Sequence, residues 1–481
     1  MGDLKSYLNS LKTKRVAVVG AGISNTPLIK LLLDAGIDTT ICDKSTIDDI
    51  GDENIRSYKE NGAKLKLGED YLENLSQDII FRTPGLMPSN PFLSKAAENG
   101  ATLTSEMEVF FELCPCKIIA VTGSDGKTTT TSIIAELLRN EGKTVHVGGN
   151  IGTPLLGRVD EIKNTDIAVI ELSSFQLITM KKSPGTAVVT NLSPNHLDVH
   201  TDLHEYVDAK SNIFIHQRKA DRAVFNFDNT VTNHYSKIAP AGDVKLFSRF
   251  NKVKNGTYLR NGIIYESKNN EATEIMHSDE IVLPGTHNIE NYLAAISAVS
   301  GIVGQSAIKK TANSFYGVEH RIEFVRELTG VRYYNDSIAS SPSRAIAGLK
   351  AFSEREGNYV PGNKRKIILI AGGKDKGIEF DELGIEINAR VKTLILTGTA
   401  AEQIRRAVND APNRNIADNM EEFHQPQIHH DPDFTKAVEM AAKEAQPGDI
   451  VLLSPACTSF DSFKNFEERG NKFKEIIDRL V

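Results

Sequence analysis

Residues 119–131, with the sequence IAVTGSDGKTTTT, decide the fold of this chain. An apolar strand runs into a glycine-bounded loop, after which Lys127 and Thr128 open a helix. The backbone N–H groups of such a loop converge on phosphate oxygens, and the helix N-terminus favours negative charge. The spacing GxxxxGK[ST] is not met in full, because Val121 stands at the first glycine position. The stretch therefore predicts a phosphate loop that is shorter than in the broad class of P-loop nucleoside triphosphatases.

The same order of strand, turn and helix occurs towards the N-terminus. The strand RVAVVG from Arg15, the turn 20-GAGISN, an apolar helix and the strand DTTICD form a βαβ unit. The turn has the first two glycines of GxGxxG, but Asn25 stands at the third, and Asp43 ends the next strand. The pattern favours a Rossmann-like nucleotide-recognition domain, and a purely structural turn is the alternative.

Strand and helix patterns also continue towards the C-terminus. Strands at 167-IAVIEL and 187-AVVTNL extend a mostly parallel sheet from residue 117 to about 225. Residues 245–285 contain Asn-Gly turns between short alternating segments, which indicate appended antiparallel hairpins. A third α/β block begins near Val318. The predicted fold is therefore α/β with three domains, Rossmann-like at both ends and P-loop-type in the centre: 1–107, 108–316 and 317–481.

Composition narrows the class of protein. The 481 residues suit about three domains, and 56 basic against 63 acidic side chains give a net charge of −7. This balance gives no electrostatic reason to expect nucleic acid or a membrane surface as partner. Four cysteines without a CxxC pair indicate neither a disulfide scaffold nor a zinc or redox motif. Because apolar runs are short and the first ten residues lack a signal-peptide core, we expect a cytoplasmic enzyme without membrane insertion.

Acidic and imidazole side chains follow two strands of the central block. Glu171 comes after IAVI, and His196 comes after AVVTNL. Ligands of open parallel sheets lie beyond the carboxyl ends of the strands, so Thr128, Glu171 and His196 are predicted to share one Mg²⁺-nucleotide site. A buried cap for Glu171 and a turn residue for His196 are the structural alternatives. Zinc is disfavoured, because no standard ligand spacing occurs among His196, Asp198, His200, Asp202 and His204.

A set of motifs along the whole chain resembles those of the ATP-dependent Mur ligases. The motifs are TGSDGKTTT, ELSSFQL, NLSPNHLDVH with a downstream Ala-Lys, GTHNIENYLAA, HRIE, YNDS and LLSPACTSFDSFKNFEERG. The last motif and SSFQL are most similar to the D-glutamate-adding branch. The resemblance implies a carbon–nitrogen ligase of peptidoglycan synthesis, serving cell wall biogenesis and cell division. It would add D-glutamate to UDP-N-acetylmuramoyl-L-alanine through an acyl phosphate, with ATP as co-substrate.

The resemblance also implies the residues of the ATP and metal sites. Lys127 is expected to stabilise phosphate charge, with Thr128 and Glu171 as ligands of one Mg²⁺ and His196 of a second. Lys210 falls where the family carries a carbamylated lysine, although the residue alone reads as a surface lysine. Implied ATP-binding residues are Gly123, Ser124, Asp125, Gly126, Lys127, Thr128, Thr129, Asn288, Asn291, Arg321 and Asp336.

The two other substrates are assigned in the same way. Implied contacts of the UDP-substrate are Ile23, Ser24, Asp43, Lys44, Thr83, Pro84, Gly85 and Asn150. Implied contacts of D-glutamate are Ser340, Lys376, Ser459 and Phe466. Ile338 stands where the D-glutamate-adding enzymes usually place a lysine, and Arg344 is the nearby charge that would replace it.

Three alternatives to this function remain open at the level of sequence. The first is a Mur-type ligase that adds a different amino acid. The second is an NAD(P)-dependent oxidoreductase that uses the GAGISN turn, and the third is a non-catalytic nucleotide-binding protein. A monomer is the favoured oligomeric state.

Overall fold

The computed structural model describes residues 3–22, 24–46, 52–193, 203–355, 365–375, 377–411 and 425–480. Its strands, in chain order, are β1 (Val16–Val19), β2 (Thr39–Asp43), β3 (Lys64–Leu67), β4 (Ile79–Arg82), β5 (Thr102–Thr104), β6 (Lys117–Thr122), β7 (Val145–Gly149), β8 (Ile167–Glu171), β9 (Thr186–Val189), β10 (Arg222–Asn226), β11 (Asp243–Ser248), β12 (Gly256–Arg260), β13 (Ile263–Lys268), β14 (Glu271–His277), β15 (Glu323–Leu328), β16 (Val331–Asn335), β17 (Ile367–Gly372), β18 (Val391–Thr397), β19 (Gln427–His430) and β20 (Ile450–Leu453).

The α-helices of the described residues connect and cover these strands. They are α1 (Leu4–Leu11), α2 (Thr26–Asp34), α3 (Asp52–Glu60), α4 (Pro91–Glu98), α5 (Glu106–Leu113), α6 (Lys127–Asn140), α7 (Ser174–Leu177), α8 (Leu203–Ser211), α9 (Thr230–Ser236), α10 (Thr286–Val299), α11 (Gln305–Ser314), α12 (Pro342–Arg355), α13 (Asp381–Arg390), α14 (Ala401–Asp410), α15 (Phe434–Glu444) and α16 (Phe466–Arg479). Two 3₁₀ turns lie at Leu156–Glu161 and Ser278–Glu280.

The first sheet has the order β3-β2-β1-β4-β5, and all its strand pairs are parallel. Its central strand VAVV is buried throughout. Val16 and Val18 pack into one apolar cluster, whereas Ala17 and Val19 pack into another on the opposite face. A strand that is covered on both faces needs a continuous apolar run, which is what the sequence provides.

The second sheet is built around β6. Its order is β14-β13-β12-β11-β10-β9-β6-β8-β7, parallel from β7 to β12 and antiparallel from β12 to β14. Asn261 and Gly262 join β12 to β13 with positive φ at both residues, 52° and 76°. These angles suit a two-residue hairpin turn, and they confirm the hairpin predicted at this Asn-Gly pair. The other Asn-Gly pair, Asn255-Gly256, lies between β11 and β12, which are parallel, so the antiparallel hairpin predicted there is wrong.

The third sheet has the order β15-β16-β20-β17-β18-β19, with only the edge pair β15–β16 antiparallel among its described strands. The chain forms two compact units. One comprises Met1–Glu280 and Glu290–Asn313 and holds the first two sheets, and the other comprises Ile281–Ile289 and Ser314–Val481 and holds the third. The predicted α/β class is confirmed, as are its parallel sheets and the antiparallel addition to the central sheet.

Candidate functional site

The glycine loop after β6 is shaped so that no side chain fits on its glycines. Gly123 has φ +149° and Gly126 has φ +77°. A Cβ on Gly123 would lie 1.9 Å from Thr190 Oγ1, and one on Gly126 would lie 2.4 Å from Asn291 Oδ1. Both glycines are therefore required by close approach as well as by backbone conformation.

Neighbouring strands fix the loop at the carboxyl edge of the sheet. Val121 of β6 is in register with Glu171 of β8, and Thr122 is in register with Val189 of β9. Asn191, just beyond β9, accepts from the Ser124 N–H through its carbonyl and from the Asp125 N–H through Oδ1, both at 2.9 Å. Asn191 is a residue of this site that the sequence did not indicate, although it lies near the end of the predicted strand 187-AVVTNL and begins the NLSPNH motif.

Two lysines converge on this loop. Lys127 Nζ donates to the carbonyl oxygens of Gly123 at 3.0 Å and Ser124 at 2.8 Å. Lys210 Nζ, from α8, donates to the same Gly123 carbonyl at 2.9 Å. Lys210 is only 2% exposed, so its interpretation as a surface lysine is wrong.

Burial and charge determine the protonation of Lys210. Burial is the main cause that lowers its pKa well below the ordinary value, and the Lys127 ammonium lowers it further. The carboxylates of Glu171 and Asp125 act in the opposite direction, which places them within electrostatic reach of Lys210. The Lys210 ammonium also lies 4.8 Å from the centroid of the Tyr206 ring. Three charged groups from distant parts of the chain, Asp125, Lys127 and Glu171, thus act on Lys210.

One of the two carboxylate oxygens of Glu171 accepts no hydrogen bond among the described residues. The residue is 1% exposed, and its Oε1 accepts from the Asn150 side chain at 2.8 Å. Oε2 is buried without a hydrogen-bond partner among the described residues. Because a buried carboxylate oxygen is costly to leave unpaired and oxygen is the ligand that Mg²⁺ prefers, Glu171 fits a divalent cation. Thr128 lies half-buried in the first turn of α6.

Some of the predicted site residues fall outside the described parts of the chain. They are Ile23, His196, Asp198, His200, Asp202 and Lys376. Within the described ranges, no group of three or more His, Cys, Asp or Glu side chains is arranged to hold a metal ion.

The two asparagines of HNIEN have different surroundings. Asn291 is buried, and its Oδ1 accepts from Thr130 Oγ1 at 3.1 Å, next to Gly126 of the phosphate loop. Asn288 is also buried and donates to the carbonyl of Pro284. The structure therefore brings Asn291 to the glycine loop.

The turn after β1 departs from a dinucleotide fingerprint. Asn25, which replaces the third glycine, is buried and donates to the carbonyls of Val19 at 3.2 Å and Gly20 at 3.0 Å. The third glycine of GxGxxG serves close packing of helix on strand, whereas here an amide side chain fills that space. Asp43 accepts from the Ala21 N–H at 2.6 Å, so its carboxylate lies against the same turn.

The loop Thr83-Pro84-Gly85 follows β4 at this edge of the first sheet. A Cβ on Gly20 would lie 2.9 Å from Thr83 Cβ, so the loop packs directly against the glycine turn. Arg82, the last residue of β4, is buried, and no sequence motif indicates a role for it. Ser24, Lys44 and Asn150 are exposed.

In the second unit, the buried Arg469 forms hydrogen bonds with the segments that carry the predicted amino-acid contacts. Arg469 donates to Ser337 Oγ at 3.0 Å and to the carbonyl of Cys457 at 3.1 Å. Ser337 Oγ in turn donates to the carbonyl of Phe466 at 2.7 Å. The segments that carry Ser340, Ser459 and Phe466 are thereby held at the carboxyl edge of adjacent strands, β16 and β20.

Two charged groups lie close to these segments. Arg344 Nη1 reaches the carbonyl of Ile338 at 3.4 Å, which places a cation near the position where a lysine was expected. Asp336 accepts from Ser454 Oγ at 2.8 Å. Burial raises the pKa of Asp336 to about 7, although Arg321 and the hydrogen bond from Ser454 act to lower it.

Comparison with known proteins defines the class to which this fold and site belong. Residues 121–299 match the family profile of the Mur ligase middle domain, and residues 320–457 match that of the Mur ligase glutamate ligase domain. The chain belongs to the Mur ligase family, and it is thus an ATP-dependent amide-bond-forming ligase of peptidoglycan synthesis. The UDP-N-acetylmuramoylalanine–D-glutamate ligase of Ruminiclostridium cellulolyticum is 50% identical over 479 residues, which cover 99% of each chain. The protein of the same name from Acetivibrio thermocellus is 49% identical, again over 99% of each chain.

Solved structures agree on the fold. UDP-N-acetylmuramate-alanine ligase from Thermotoga maritima superposes with a TM-score of 0.57 at 17% identity, over 97% of this chain and 99% of that one. The MurF ligase of the same organism, in complex with ADP, gives a TM-score of 0.55 at 17% identity, over 98% and 99% of the two chains. The described residues contain no helix with the length and apolar character to cross a bilayer.

Proposed function

We propose that this chain joins D-glutamate to UDP-N-acetylmuramoyl-L-alanine and converts ATP to ADP and phosphate. The observation that carries the proposal is the convergence of Lys127, the buried Lys210 and the half-paired Glu171 on the glycine loop. Its full-length relatives at about half identity bear the name of that activity. The geometry of the site and the names of the relatives both support this reaction. Together they favour it over an NAD(P)-dependent oxidoreductase and over a non-catalytic nucleotide-binding protein.

Each of the three sheets belongs to a segment for which one substrate is proposed. We propose that residues 1–107 bind the UDP-substrate, residues 108–316 bind ATP and residues 317–481 bind the amino acid. Nucleotide contacts in the last two segments would be Gly123 to Thr129, Asn288, Asn291, Arg321 and Asp336. The UDP-substrate would be held by Ile23, Ser24, Asp43, Lys44, Thr83, Pro84, Gly85 and Asn150.

The reaction consists of two displacements. An oxygen of the L-alanine carboxylate attacks the γ-phosphorus of ATP, and ADP leaves with the bridging oxygen, which gives an acyl phosphate. The amine of D-glutamate then attacks the acyl carbon, loses a proton and displaces phosphate to form the amide. Because phosphoryl transfer is governed by positioning and charge stabilisation, the loop N–H groups and Lys127 are the residues of this chain that act on the first step.

The cation site is proposed from the same residues. Thr128 and Glu171 would hold one Mg²⁺, and His196 a second, and the bound metal would neutralise phosphate charge. Lys210 is proposed to carry a carbamate, formed when its amine adds to carbon dioxide and loses a proton. That modification would turn a buried amine into a carboxylate-like group beside the phosphate loop.

For the amino acid, Ser340, Lys376, Ser459 and Phe466 are proposed as contacts. The expected lysine is absent at Ile338, and Arg344 lies at that carbonyl. We propose that the Arg344 guanidinium supplies the positive charge near a substrate carboxylate. The guanidinium is permanently charged, so this charge persists at any pH at which the enzyme works.

The proposal is tested by phosphate release together with detection of the amide product. The protein is incubated with Mg²⁺, ATP, UDP-N-acetylmuramoyl-L-alanine and, in separate reactions, D-glutamate, L-glutamate, L-alanine or a diamino acid. D-Glutamate alone is expected to give both phosphate and a product with one added glutamyl residue. Turnover with another amino acid but not with D-glutamate would reject the assigned substrate, and ATP binding without product would reject catalysis.

A further inference from the structure

Arg82 is a buried arginine that forms no ion pair with a carboxylate among the described residues. It ends β4 and is 1% exposed. Buried arginines are normally paired with carboxylates, because an uncompensated charge is costly to remove from water. Within the described part of the chain, Glu108 is the acidic group that acts on Arg82, and it does so electrostatically, without a hydrogen bond to it.

The guanidinium instead binds oxygens on two sides. On one side, Nη1 donates to the carbonyls of Pro84 at 3.4 Å and Leu86 at 3.2 Å. On the other side, Nη2 donates to the carbonyl of Phe175 at 2.8 Å and to Thr179 Oγ1 at 3.0 Å. One planar group thus links the loop after β4 of the first sheet to the turn around α7 of the second sheet.

Each side of this link leads directly to a substrate-binding segment. The Thr83 N–H donates to the carbonyl of Val19, and Thr83 packs on Gly20, so the loop belongs to the nucleotide-recognition edge. Helix α7 begins three residues after Glu171, and its Ser173 cap closes a capping box with Gln176. The Thr179 hydroxyl also donates to Glu108 at 3.2 Å, and Ser105 donates to the same carboxylate at 2.8 Å.

We propose that Arg82 is a positioning residue that fixes the loop Thr83-Pro84-Gly85 relative to the segment that follows Glu171. The inference rests on the proposed function, in which that loop lies along the pyrophosphate and sugar of the UDP-substrate and Glu171 holds a metal. It goes beyond that function because it assigns the relative position of the two segments to one side chain. The distance between the UDP-substrate and the phosphate loop would then depend on Arg82.

The chemistry of the side chain explains why an arginine is needed. A guanidinium presents donors in a rigid planar fork, so that two nitrogens can serve acceptors in opposite directions. A lysine ammonium at the end of a flexible stem can satisfy the carbonyls of one side but does not fix both. An apolar residue would remove the buried charge, but it would leave the two segments without a common donor.

The test compares Arg82→Lys and Arg82→Met with Arg222→Lys. Arg222 also donates to two carbonyls, those of Ala298 and Ser300, but it begins β10 at the opposite end of the strands. Steady-state parameters are measured for each substrate separately, and thermal unfolding is followed for every variant. The KM for UDP-N-acetylmuramoyl-L-alanine is expected to rise about tenfold or more in both Arg82 variants, while the KM for D-glutamate changes less than twofold.

The control separates positioning from folding. Arg222→Lys is expected to lower the unfolding temperature without changing any KM. The inference is overturned if Arg82→Lys keeps the wild-type KM for the UDP-substrate, or if it merely loses active enzyme in proportion to the unfolded fraction, as the control would. Should Arg82→Met fail to fold, Arg82→Lys decides alone, because it retains the charge.

Failure of the proposed function is recognisable on its own. If the wild-type protein makes no amide from D-glutamate, that function fails, and the role of Arg82 is read from binding. The dissociation constant for UDP-N-acetylmuramoyl-L-alanine is then measured calorimetrically for wild type and Arg82→Lys. A tenfold weaker affinity in the variant supports the inference, and an unchanged affinity overturns it.

Discussion

A single methyl group at Gly126 tests the geometry of the phosphate loop. Gly126 precedes α6 with φ +77°, and its added Cβ would lie 2.4 Å from Asn291 Oδ1. In Gly126→Ala the left-handed backbone costs roughly 1 kcal/mol, because an L-residue is disfavoured there. Asn291 must also move, which breaks its hydrogen bond from Thr130 and costs about 1 kcal/mol more.

The same helix offers a matched control at its other end. Gly142 follows α6 with φ +81°, and an added Cβ meets nothing within 4 Å. Gly142→Ala therefore carries the backbone cost alone. The two variants differ by the displacement of Asn291, which corresponds to about a fivefold to tenfold effect for about 1 kcal/mol.

The assay is phosphate release as a function of ATP concentration, together with thermal unfolding of both variants. Gly142→Ala is expected to unfold earlier than wild type with an unchanged KM for ATP. Gly126→Ala is expected to unfold earlier still and to raise the KM for ATP at least fivefold. The reasoning is refuted if the two variants have the same KM for ATP and the same unfolding temperature.

Three further predictions concern charged groups. Lys127→Ala should lower phosphate release at least about a hundredfold while the thermal transition shifts by only a few degrees, since charge stabilisation in the transition state is lost; near-normal turnover would contradict the assigned role. Lys210→Ala should lose activity that bicarbonate does not restore but short carboxylates partly rescue, and a fully active variant would argue against a carbamate. The raised pKa of Asp336 means that its folded state holds a proton to higher pH than the unfolded state, so the free energy of unfolding falls as pH rises from about 4 to about 7. Asp336→Asn should reduce that decline, as measured by denaturant unfolding at several pH values, while Glu106, whose pKa burial also raises to about 7, keeps its own contribution. Parallel pH profiles of variant and wild type would refute the prediction.

Local sequence was sufficient to predict much of this fold. The run KIIAVT is predicted as a strand because it is short and mainly apolar, and the glycine loop follows it directly. In the structure, five of its six residues are buried in the sheet. The Asn-Gly turn at Asn261 likewise determines its hairpin through two consecutive left-handed residues. In such cases the physical cause lies within a few neighbouring residues, so that pattern and structure coincide.

Other features depended on residues distant in the chain. Lys210 looks like an exposed lysine on α8, and only the docking of that helix buries it against Gly123, 87 residues away. Arg82 gave no local indication of a role, because its acceptors at Phe175 and Thr179 lie 93 and 97 residues further along the chain, in and just after α7. Asn25 stands at the third glycine position of the GxGxxG pattern. Only the tertiary structure shows that its side-chain amide donates to the carbonyls of Val19 and Gly20.

The sequence by itself determined the class of fold, the phosphate loop and the family, because strand periodicity, turn chemistry and contiguous motifs are local properties. It also determined the net charge of −7, which is unfavourable for anionic substrates. Tertiary structure decided where a cation offsets that charge, because it places the Lys127 ammonium at the phosphate loop. Burial and long-range register set the protonation and the partners of such groups, and neither is encoded in any short stretch of chain.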